Sequence, residues 1–539
     1  MICLLSGFST QYRHNGSVCS ANFYFVDGAN MVMGEMKVAV EALQAGLVLD
    51  LQQNPGMPMN KRLYRLLRQR ILLGDLPAGA KLPATRQLAD ALNIARNTVL
   101  FAFEQLQVEG FVETRTGDGT YIATTRMPAG SAAGKAQRKV AERLPDPVAP
   151  VLSRRAHDVL GQQFMSPRIS GGTGAFMPGV PAIDDFPLLK WQRLVQQMHR
   201  LPDRTWLSYP REGGVHELKV ALSQHLRLTR ALQCRPEQVI ITSGTQQSLD
   251  LLARGLTDHG DDVWLEDPGY NGARSALLAA GSTLHPIPVD DEGLNWEASP
   301  TLPAPRLIYI TPSHQYPMGC VMSLPRRRAL LAYARAHDSW ILEDDYDSEF
   351  RYHGPPLAAL QGLDDAGRTI YMGTFSKVMY PGLHLAYIVV PDGLAMPLIR
   401  LQARLYREGQ YPLQAALAEF LGSGQFASHI RKMRSLYWQR QQVLRHSLAD
   451  ALGEAPMWCG GSAGLHLVTL LPEGIDDVQL SQRLLQRRII APALSLHYGG
   501  AHARQGLMLG YAGVKEADIE TAARILAEEW TAAGTRANV

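Results

Sequence analysis

Apolar residues recur at helical spacing between residues 59 and 124, and this pattern predicts three short helices. The stripes that would face a core are Leu63, Leu66, Leu67 and Ile71, then Leu88, Ala91 and Leu92, then Val99, Phe103 and Leu106. Gly110 follows the third helix as a stop signal. Two predicted strands, 111–115 and 120–122, flank an Asp118-Gly119 pair that is typical of a hairpin turn. Helix, helix, tight turn, helix and hairpin, in this order, predict a winged helix-turn-helix.

The predicted third helix carries polar residues suited to reading DNA. In this arrangement the helix after the turn enters the major groove by its N-terminal residues. Arg96, Asn97 and Thr98 occupy that position, and arginine and asparagine have the bidentate edges that read guanine and adenine. Arg86 opens the preceding helix, where a phosphate contact is expected, and Arg115 lies on the hairpin. The alternative is a solvated basic face on a small helical bundle.

A different pattern occupies the rest of the chain, where short continuous apolar runs alternate with helical segments. The predicted strands are 239–242, 262–266, 307–310, 340–343 and 369–372. This alternation predicts an α/β domain with a mostly parallel sheet covered by helices on both faces. Ligands of such sheets bind at the carboxyl ends of the strands, and the unusual polar residues follow those ends.

These patterns divide the chain into four segments. Residues 1–58 are an N-terminal extension to which no structure is assigned, and residues 59–124 form the predicted DNA-binding domain. Residues 125–165 are a linker, because they are rich first in small residues and then in proline. Residues 166–535 form the predicted α/β domain. A length of 539 residues fits such a multi-domain division.

Composition narrows the classes of function. The formal net charge is only +3, so a nucleic-acid surface has to be local. The five cysteines are scattered without ligand-like spacing, which indicates a reducing compartment and no structural zinc. No apolar run approaches the ~18 residues of a membrane span, and the N-terminus lacks the basic region of a signal peptide. We therefore expect a cytoplasmic protein without a membrane partner.

Two strand ends carry candidate cofactor contacts. After the strand at 239–242, Gly244, Thr245 and Gln246 open a helix, and a glycine, a hydroxyl and free amides at a helix N-terminus can bind an anion. An ordinary N-cap explains these residues equally well. After the strand at 262–266 a turn presents Tyr270, whose ring could stack on a planar cofactor or only pack in the core.

The most informative residues are an acidic run and one lysine. Five acids fall within seven residues, from Glu343 to Glu349, at the end of an apolar strand. Such a run requires a positive partner, either a pyridinium nitrogen or a metal, and no histidine is interleaved to favour the metal. Lys377 lies among apolar neighbours, which lowers the pKa of an amine and makes it nucleophilic. The alternative is a solvated loop lysine.

The segments around Leu82–Ala89, Arg96–Val99 and Gly117–Thr120 resemble the GntR-type winged-helix family. The later segments His314–Pro317, Glu343–Tyr352 and Thr374–Lys377 resemble fold-type I, class I aminotransferases, whose sheet domain is followed by a smaller C-terminal subdomain. The whole chain is similar to the MocR (GabR-like) regulators, which fuse these two domains.

The resemblance implies that pyridoxal 5′-phosphate (PLP) is the cofactor and that Lys377 holds it covalently. Asp344 would pair with the pyridine nitrogen, and Asp345 is the less favoured candidate by spacing. Tyr346 would bond the ring hydroxyl, and Tyr270 would stack on the ring. The implied phosphate contacts are Gly244, Thr245, Gln246, Thr374 and Ser376, with Tyr209 reaching from the neighbouring subunit of a head-to-tail homodimer. The implied contacts to operator DNA are Arg86, Arg96, Asn97, Thr98 and Arg115.

Two positions depart from the aminotransferase pattern. His384 stands where the family has an arginine that contacts the phosphate, and a histidine lacks the permanent charge of arginine. Met508 stands where aminotransferases carry the arginine that binds the substrate carboxylate. Arg274 and Arg504 are the candidate substitutes.

The sequence thus predicts a transcriptional regulator whose DNA affinity is set by PLP or by an adduct of PLP with an amine or amino acid. We expect at most residual transaminase activity, because the arginine for a substrate carboxylate is replaced. Two alternatives stay open at this stage. One is a working aminotransferase with an accessory DNA-binding domain, and the other is a scaffold that binds operator and a partner protein but no cofactor.

Overall fold

The computed structural model describes residues 11–14, 17–20, 56–124, 152–162, 174–200, 204–208, 212–354, 357–407, 409–500 and 503–537. The chain divides into two compact units, Met1–Pro150 and Val151–Val539. Every helix in the described part of the chain is too short or too polar to span a lipid bilayer.

The first unit contains a winged helix-turn-helix. The motif consists of the helices α1 (Met59–Leu73), α2 (Thr85–Leu92) and α3 (Arg96–Val108), followed by the antiparallel hairpin β3 (Val112–Arg115) and β4 (Gly119–Ile122). The same unit also contains an antiparallel pair of strands, β1 (Gln11–His14) and β2 (Ser17–Ser20). No structure was predicted for residues 1–58, so the pair β1–β2 was not expected from the sequence.

The helices of this unit pack because their apolar stripes meet in one core. Leu63, Leu88, Val99 and Leu106 are fully buried there, as the helical spacing predicts. The prediction that Ala91 faces this core is wrong, because Ala91 is exposed and Ala89 is buried instead. Asn93 ends α2 in the left-handed region, with φ of 52°, and so makes the tight turn into α3. The winged-helix prediction is confirmed.

The second unit is a helix-covered sheet with a smaller sheet at its C-terminal end. Its helices are α4 (Arg154–Leu160), α5 (Leu188–Arg200), α6 (His216–Arg230), α7 (Thr245–Leu256), α8 (Asn271–Ala280), α9 (Leu324–Ala336), α10 (Asp392–Leu405), α11 (Tyr411–Gly422), α12 (Gln425–Leu452), α13 (Asp477–Gln486) and α14 (Glu516–Ala537). Its strands are β5 (Val239–Thr242), β6 (Asp262–Asp267), β7 (Thr283–Asp290), β8 (Gly293–Leu294), β9 (Leu307–Ile310), β10 (Trp340–Asp345), β11 (Thr369–Thr374), β12 (Ala386–Val389), β13 (Met457–Cys459), β14 (His466–Leu470) and β15 (Gly506–Gly510).

In the described chain the main sheet has eight strands in the order β5-β12-β11-β10-β9-β6-β7-β8. The pairs from β11 through β7 are parallel, whereas β12 is antiparallel to both of its neighbours. Every residue of β5, β9 and β11 is buried, as expected for strands covered on both faces. The five predicted strands are present, and the mostly parallel α/β architecture is confirmed.

The small sheet has the order β13-β14-β15, and its two faces serve different parts of the unit. Side chains alternate along a strand, so Leu467 and Leu509 point to the main core while Val468 and Met508 point to the other side. Tyr316, in the loop that follows β9, packs against this second face.

Candidate cofactor site

Lys377 lies in the loop that follows β11. Its Nζ donates a hydrogen bond to the carbonyl oxygen of Gly179 at 3.0 Å. Burial lowers the pKa of Lys377, and the nearby carboxylates of Asp347 and Asp344 act in the opposite direction. Gly179 has φ of +71°, and a Cβ built there would lie 2.6 Å from Nζ, so a side chain at this position would displace the amine. The backbone therefore holds a half-buried amine with a depressed pKa.

Asp344 ends β10 next to this amine and carries an unpaired oxygen. Its Oδ2 accepts a hydrogen bond from the hydroxyl of Tyr309 at 2.7 Å, whereas its Oδ1 is buried and has no hydrogen-bond partner among the described residues. Burial raises the pKa of Asp344 to about 7, although the bond from Tyr309 opposes the shift. A buried carboxylate oxygen without a partner fits a cationic ring nitrogen.

Asp345, the next residue, is engaged elsewhere. Its Oδ2 accepts from Arg230 Nε at 2.7 Å and from the hydroxyl of Tyr371 at 2.6 Å. Arg230 also donates to Ser313 Oγ at 2.6 Å, which completes a buried network behind the sheet edge. Asp345 thus serves as the counterion of a buried guanidinium.

Aromatic and imidazole rings surround the amine and the acids. The hydroxyl of Tyr270 accepts from Gln246 Nε2 at 3.2 Å, and its ring meets Tyr316 edge to face at 5.7 Å. Tyr316 meets Tyr346 in the same way at 5.7 Å. The hydroxyl of Tyr346 lies 3.1 Å from His314 Nδ1. The described residues therefore bring Tyr270 and Tyr346 to the same site, as a stacking ring and a hydroxyl require.

The candidate phosphate contacts lie at the N-terminus of α7. Gly244 precedes this helix with φ of 89°, and Thr245 and Gln246 form its first turn. His384 has φ of 51°, and its Nδ1 would lie 3.7 Å from a Cβ built on Gly244. Thr374 Oγ1 accepts from the backbone N–H of Ser376 at 3.2 Å. Tyr209 lies outside the described residues.

Two histidines of the site were missed from the sequence. His466 Nε2 lies 3.0 Å from the carbonyl oxygen of Pro317, and burial lowers the pKa of His466 to about 3. His497 Nδ1 lies 3.3 Å from the carbonyl oxygen of Gly269, and burial lowers the pKa of His497 to about 4. Both rings are therefore neutral at pH 7, and each meets Tyr316 within 5.6 Å. No spacing in the sequence links them to Lys377.

Glu266 was also missed, although it ends a strand that the sequence predicts. Its Oε2 accepts from the backbone N–H of Thr311 at 3.1 Å and from Gln315 Nε2 at 3.3 Å. Burial raises the pKa of Glu266 to about 7. This carboxyl group anchors the loop that carries His314 and Tyr316.

The position of the missing carboxylate-binding arginine is apolar. Met508 is fully buried and packs with Met318, Val468 and Leu494. Of the two candidate substitutes, Arg274 faces Asp267 at 3.7 Å, and Arg504 is exposed.

The candidate DNA contacts lie on the first unit. Arg96 and Asn97 are exposed in the first turn of α3, and Thr98 beside them is half-buried. Arg96 Nε also lies 3.4 Å from Thr85 Oγ1, and Arg86 is exposed on α2.

The wing carries paired charges. Arg115 lies 2.7 Å from Glu113 and stacks over the ring of Tyr121. Lys81 lies 2.8 Å from Asp118 at the tip of the wing.

Comparisons with known proteins match both units. The family of bacterial regulatory proteins named gntR matches residues 59–122, and the aminotransferase class I and II family matches residues 182–526. The "Probable rhizopine catabolism regulatory protein MocR" of Rhizobium meliloti is 41% identical over 478 residues, which cover 87% of this chain and 92% of that protein.

The chain belongs to the MocR family. It therefore joins a GntR-type DNA-binding domain to an aminotransferase domain, and it is a transcriptional regulator with PLP as its cofactor. Another similar protein is the pyridoxine biosynthesis regulator PdxR of Corynebacterium glutamicum, which is 30% identical over 483 residues that cover 89% of this chain and 97% of PdxR. The family, the fold class and the cofactor expected from the sequence are confirmed.

Solved structures of aminotransferases share the fold of the second unit of this MocR family member. The kynurenine aminotransferase of Pyrococcus horikoshii matches with a TM-score of 0.62 and 24% identity, over 74% of this chain and 99% of that one. LysN, the α-aminoadipate aminotransferase of Thermus thermophilus, matches with a TM-score of 0.63 and 24% identity over the same shares. At this identity the match shows the fold alone.

Proposed function

We propose that the operator affinity of this regulator is set by what occupies the Lys377 site, either PLP alone or PLP together with an amine or amino acid. The observation that carries the proposal is the unpaired oxygen of Asp344 beside the amine of Lys377, in the same chain as an exposed recognition helix. A ligand can shift such an equilibrium only by its different affinity for two states of the protein.

The geometry supports a specific role for each residue toward PLP. Lys377 would hold the cofactor covalently, because its half-buried amine has a lowered pKa. Asp344 Oδ1 would pair with the ring nitrogen, Tyr270 would stack on the ring, and Tyr346 would face the ring hydroxyl. The phosphate contacts are Gly244, Thr245, Gln246, Thr374, Ser376 and His384. When bound, PLP supplies an aldehyde carbon that takes up amines.

We also propose a head-to-tail homodimer, in which Tyr209 of each subunit reaches the phosphate of the other. Exposed apolar side chains support a protein interface: Leu188 is 51% exposed and Leu189 is 71% exposed at the start of α5. Light scattering by the full chain tests this state.

The geometry does not favour the alternative of a working aminotransferase. Such an enzyme needs a cation for the carboxylate of its substrate, but Met508 lies in an apolar cluster and Arg274 faces an acid. Steady turnover of any amino acid with a keto acid would restore this alternative.

The deciding experiment follows operator binding and cofactor occupancy together. The full chain selects its binding sequence from a pool of random duplexes, and gel shifts then measure affinity with and without PLP. We expect the affinity to change with PLP for the unmodified protein and not for Lys377→Ala. Equal affinity of the unmodified protein in both conditions contradicts the proposal.

We expect Arg96→Ala to weaken operator binding by about 1–3 kcal/mol and to blunt discrimination between sequences, because a bidentate base contact is lost. Competition gel shifts with selected and scrambled duplexes measure both effects. Arg70→Ala is the matched control, since Arg70 pairs with Asp75 at the C-terminal end of α1. Unchanged shifts for Arg96→Ala would refute a base contact.

We expect His384→Arg to tighten PLP binding by about 1 kcal/mol, because a permanent charge strengthens a hydrogen bond to phosphate. The left-handed backbone at this position, with φ of 51°, limits the gain. Equilibrium titration in phosphate-free buffer gives the affinity. His446→Arg on the exposed face of α12 controls for added charge, and an unchanged affinity for His384→Arg would place the ring away from the phosphate.

A further inference from the structure

An apolar cluster adjoins the Lys377 site through Tyr316, and we define this cluster of Met318, Val468, Leu494 and Met508 as the apolar wall. Val468 and Met508 are fully buried, and Tyr316 packs against the cluster. Tyr316 also meets Tyr270 and Tyr346, the two tyrosines proposed to contact the cofactor, at 5.7 Å each. The apolar wall and the cofactor site therefore share this ring.

The strand register places the apolar wall close to the amine. Gly510 pairs with His466, and Met508 pairs with Val468 two residues further along the same face. A Cβ built on Gly510 would lie 2.2 Å from the carbonyl oxygen of Met177, so β15 packs tightly on the segment that precedes Gly179. The carbonyl oxygen of Gly179 accepts from Lys377 Nζ.

Two histidines near the apolar wall, His466 and His497, bring no positive charge at pH 7. Burial holds the pKa of His466 near 3 and that of His497 near 4, so both rings are neutral. His314 Nδ1 lies 3.0 Å from Oδ1 of Asp347. His466 and His497 can exchange hydrogen bonds with a ligand but cannot neutralise an anion at pH 7.

The two arginines that the sequence offers as substitutes for the missing arginine are compensated or exposed. Asp267 faces Arg274 at 3.7 Å and also accepts the backbone N–H groups of Gly499 and Gly500. Arg504 is exposed to solvent shortly before β15 begins. Arg274 is therefore already compensated by an acid, and Arg504 is solvated. Neither of them supplies an uncompensated cation to the apolar wall.

We propose that the effector of this site is a primary amine with no carboxylate on the carbon that bears the amine, and with an uncharged group facing the apolar wall. This rests on the proposed function, in which the Lys377 site takes up amines. A carboxylate on that carbon would lose its hydration against the apolar wall without gaining a counterion. An uncharged substituent avoids this cost and gains the contact.

Matched ligand pairs test the proposal on the full chain loaded with PLP. The pairs are 2-phenylethylamine with L-phenylalanine and 3-methylbutylamine with L-leucine, because the members of each pair differ only by the carboxylate. The readouts are the change in cofactor absorbance at equilibrium and the rise in Tm. We expect at least one amine to bind about 100-fold more tightly than its amino acid.

The results of this test can be distinguished from the results that judge the proposed function. Retention of PLP and the PLP response of operator binding are measured first, without any amine, and they judge the proposed function alone. If both hold, equal or tighter binding of the amino acids overturns the amine proposal, and so does the lack of any response to either amine.

Two substitutions sharpen the test at the apolar wall. Met508→Arg is expected to raise the affinity for the amino acids at least about tenfold, because it places a counterion there. Met508→Leu keeps the apolar surface and is expected to keep the preference for amines. Met457→Arg, at a 66% exposed position of the adjacent strand β13, controls for added charge. If Met508→Arg does not fold, the ligand pairs still decide on the unmodified chain.

Discussion

Lys377→Ala is expected to abolish covalent retention of PLP. The unmodified protein should be yellow and should keep one PLP per chain after borohydride reduction and denaturation, whereas the variant should keep none. The reason is local, because Lys377 is the amine that lies beside Asp344 and Asp347 and has a lowered pKa. Mass spectrometry of the reduced protein measures the adduct directly.

Lys515→Ala is the matched control for the loss of a lysine, since the side chain of Lys515 is 69% exposed. This control should keep its colour and its adduct. A Lys377→Ala protein that is still coloured and still modified after reduction would show that another amine holds the cofactor.

Asp345→Asn is expected to lower the free energy of unfolding by about 3–5 kcal/mol, because it leaves the buried charge of Arg230 without its counterion. The side chains of both partners are almost completely buried, so water cannot replace the lost carboxylate. Denaturant unfolding of the full chain, followed by tryptophan fluorescence, measures the change. A loss below about 1 kcal/mol would mean that the pair is not maintained in solution.

Asp344→Asn is the contrasting substitution at the adjacent position. The pKa of Asp344 is about 7 in the folded protein, whereas an aspartate in the unfolded chain has its ordinary pKa of 3.8. In the cofactor-free protein, the ionisation of Asp344 therefore lowers the free energy of unfolding. This loss is zero below about pH 4 and on the order of 4 kcal/mol above about pH 7.

The cofactor-free Asp344→Asn protein should accordingly be more stable than the unmodified protein at about pH 8, and the difference should vanish as the pH falls to about 4. The same variant should bind PLP more weakly, because the ring nitrogen loses its anionic partner. A pH-independent difference in stability would contradict the raised pKa.

The helices and strands of this protein could be predicted from the sequence where the apolar pattern lies within a single element. The stripes of α1 to α3 and the buried runs of β5, β9 and β11 are examples. It did not predict β7, because Pro286 and Pro288 argue against a strand, yet β7 lies next to the two-residue strand β8 near the sheet edge, where proline is tolerated.

Within the site, only the residues that follow or end predicted strands could be predicted from the sequence. Lys377, Asp344 and Tyr270 all follow or end predicted strands, so their convergence could be expected. The different engagement of Asp344 and Asp345 could not be derived from local sequence, because Arg230 precedes them by more than 100 residues. Gly179 and His466 also reach the site through tertiary packing, which no periodicity encodes.

The paired charges of the wing bear on how the protein finds its operator. Arg115 and Lys81 would have to leave Glu113 and Asp118 before they could neutralise backbone phosphates. Few counterions would then be released by the wing, so it should contribute little to the salt dependence of association. Movement along non-specific DNA would therefore depend mainly on contacts from α2 and α3. The wing would bind only at sites where the shape of the groove brings phosphates close enough for Arg115 and Lys81 to exchange their acids for them.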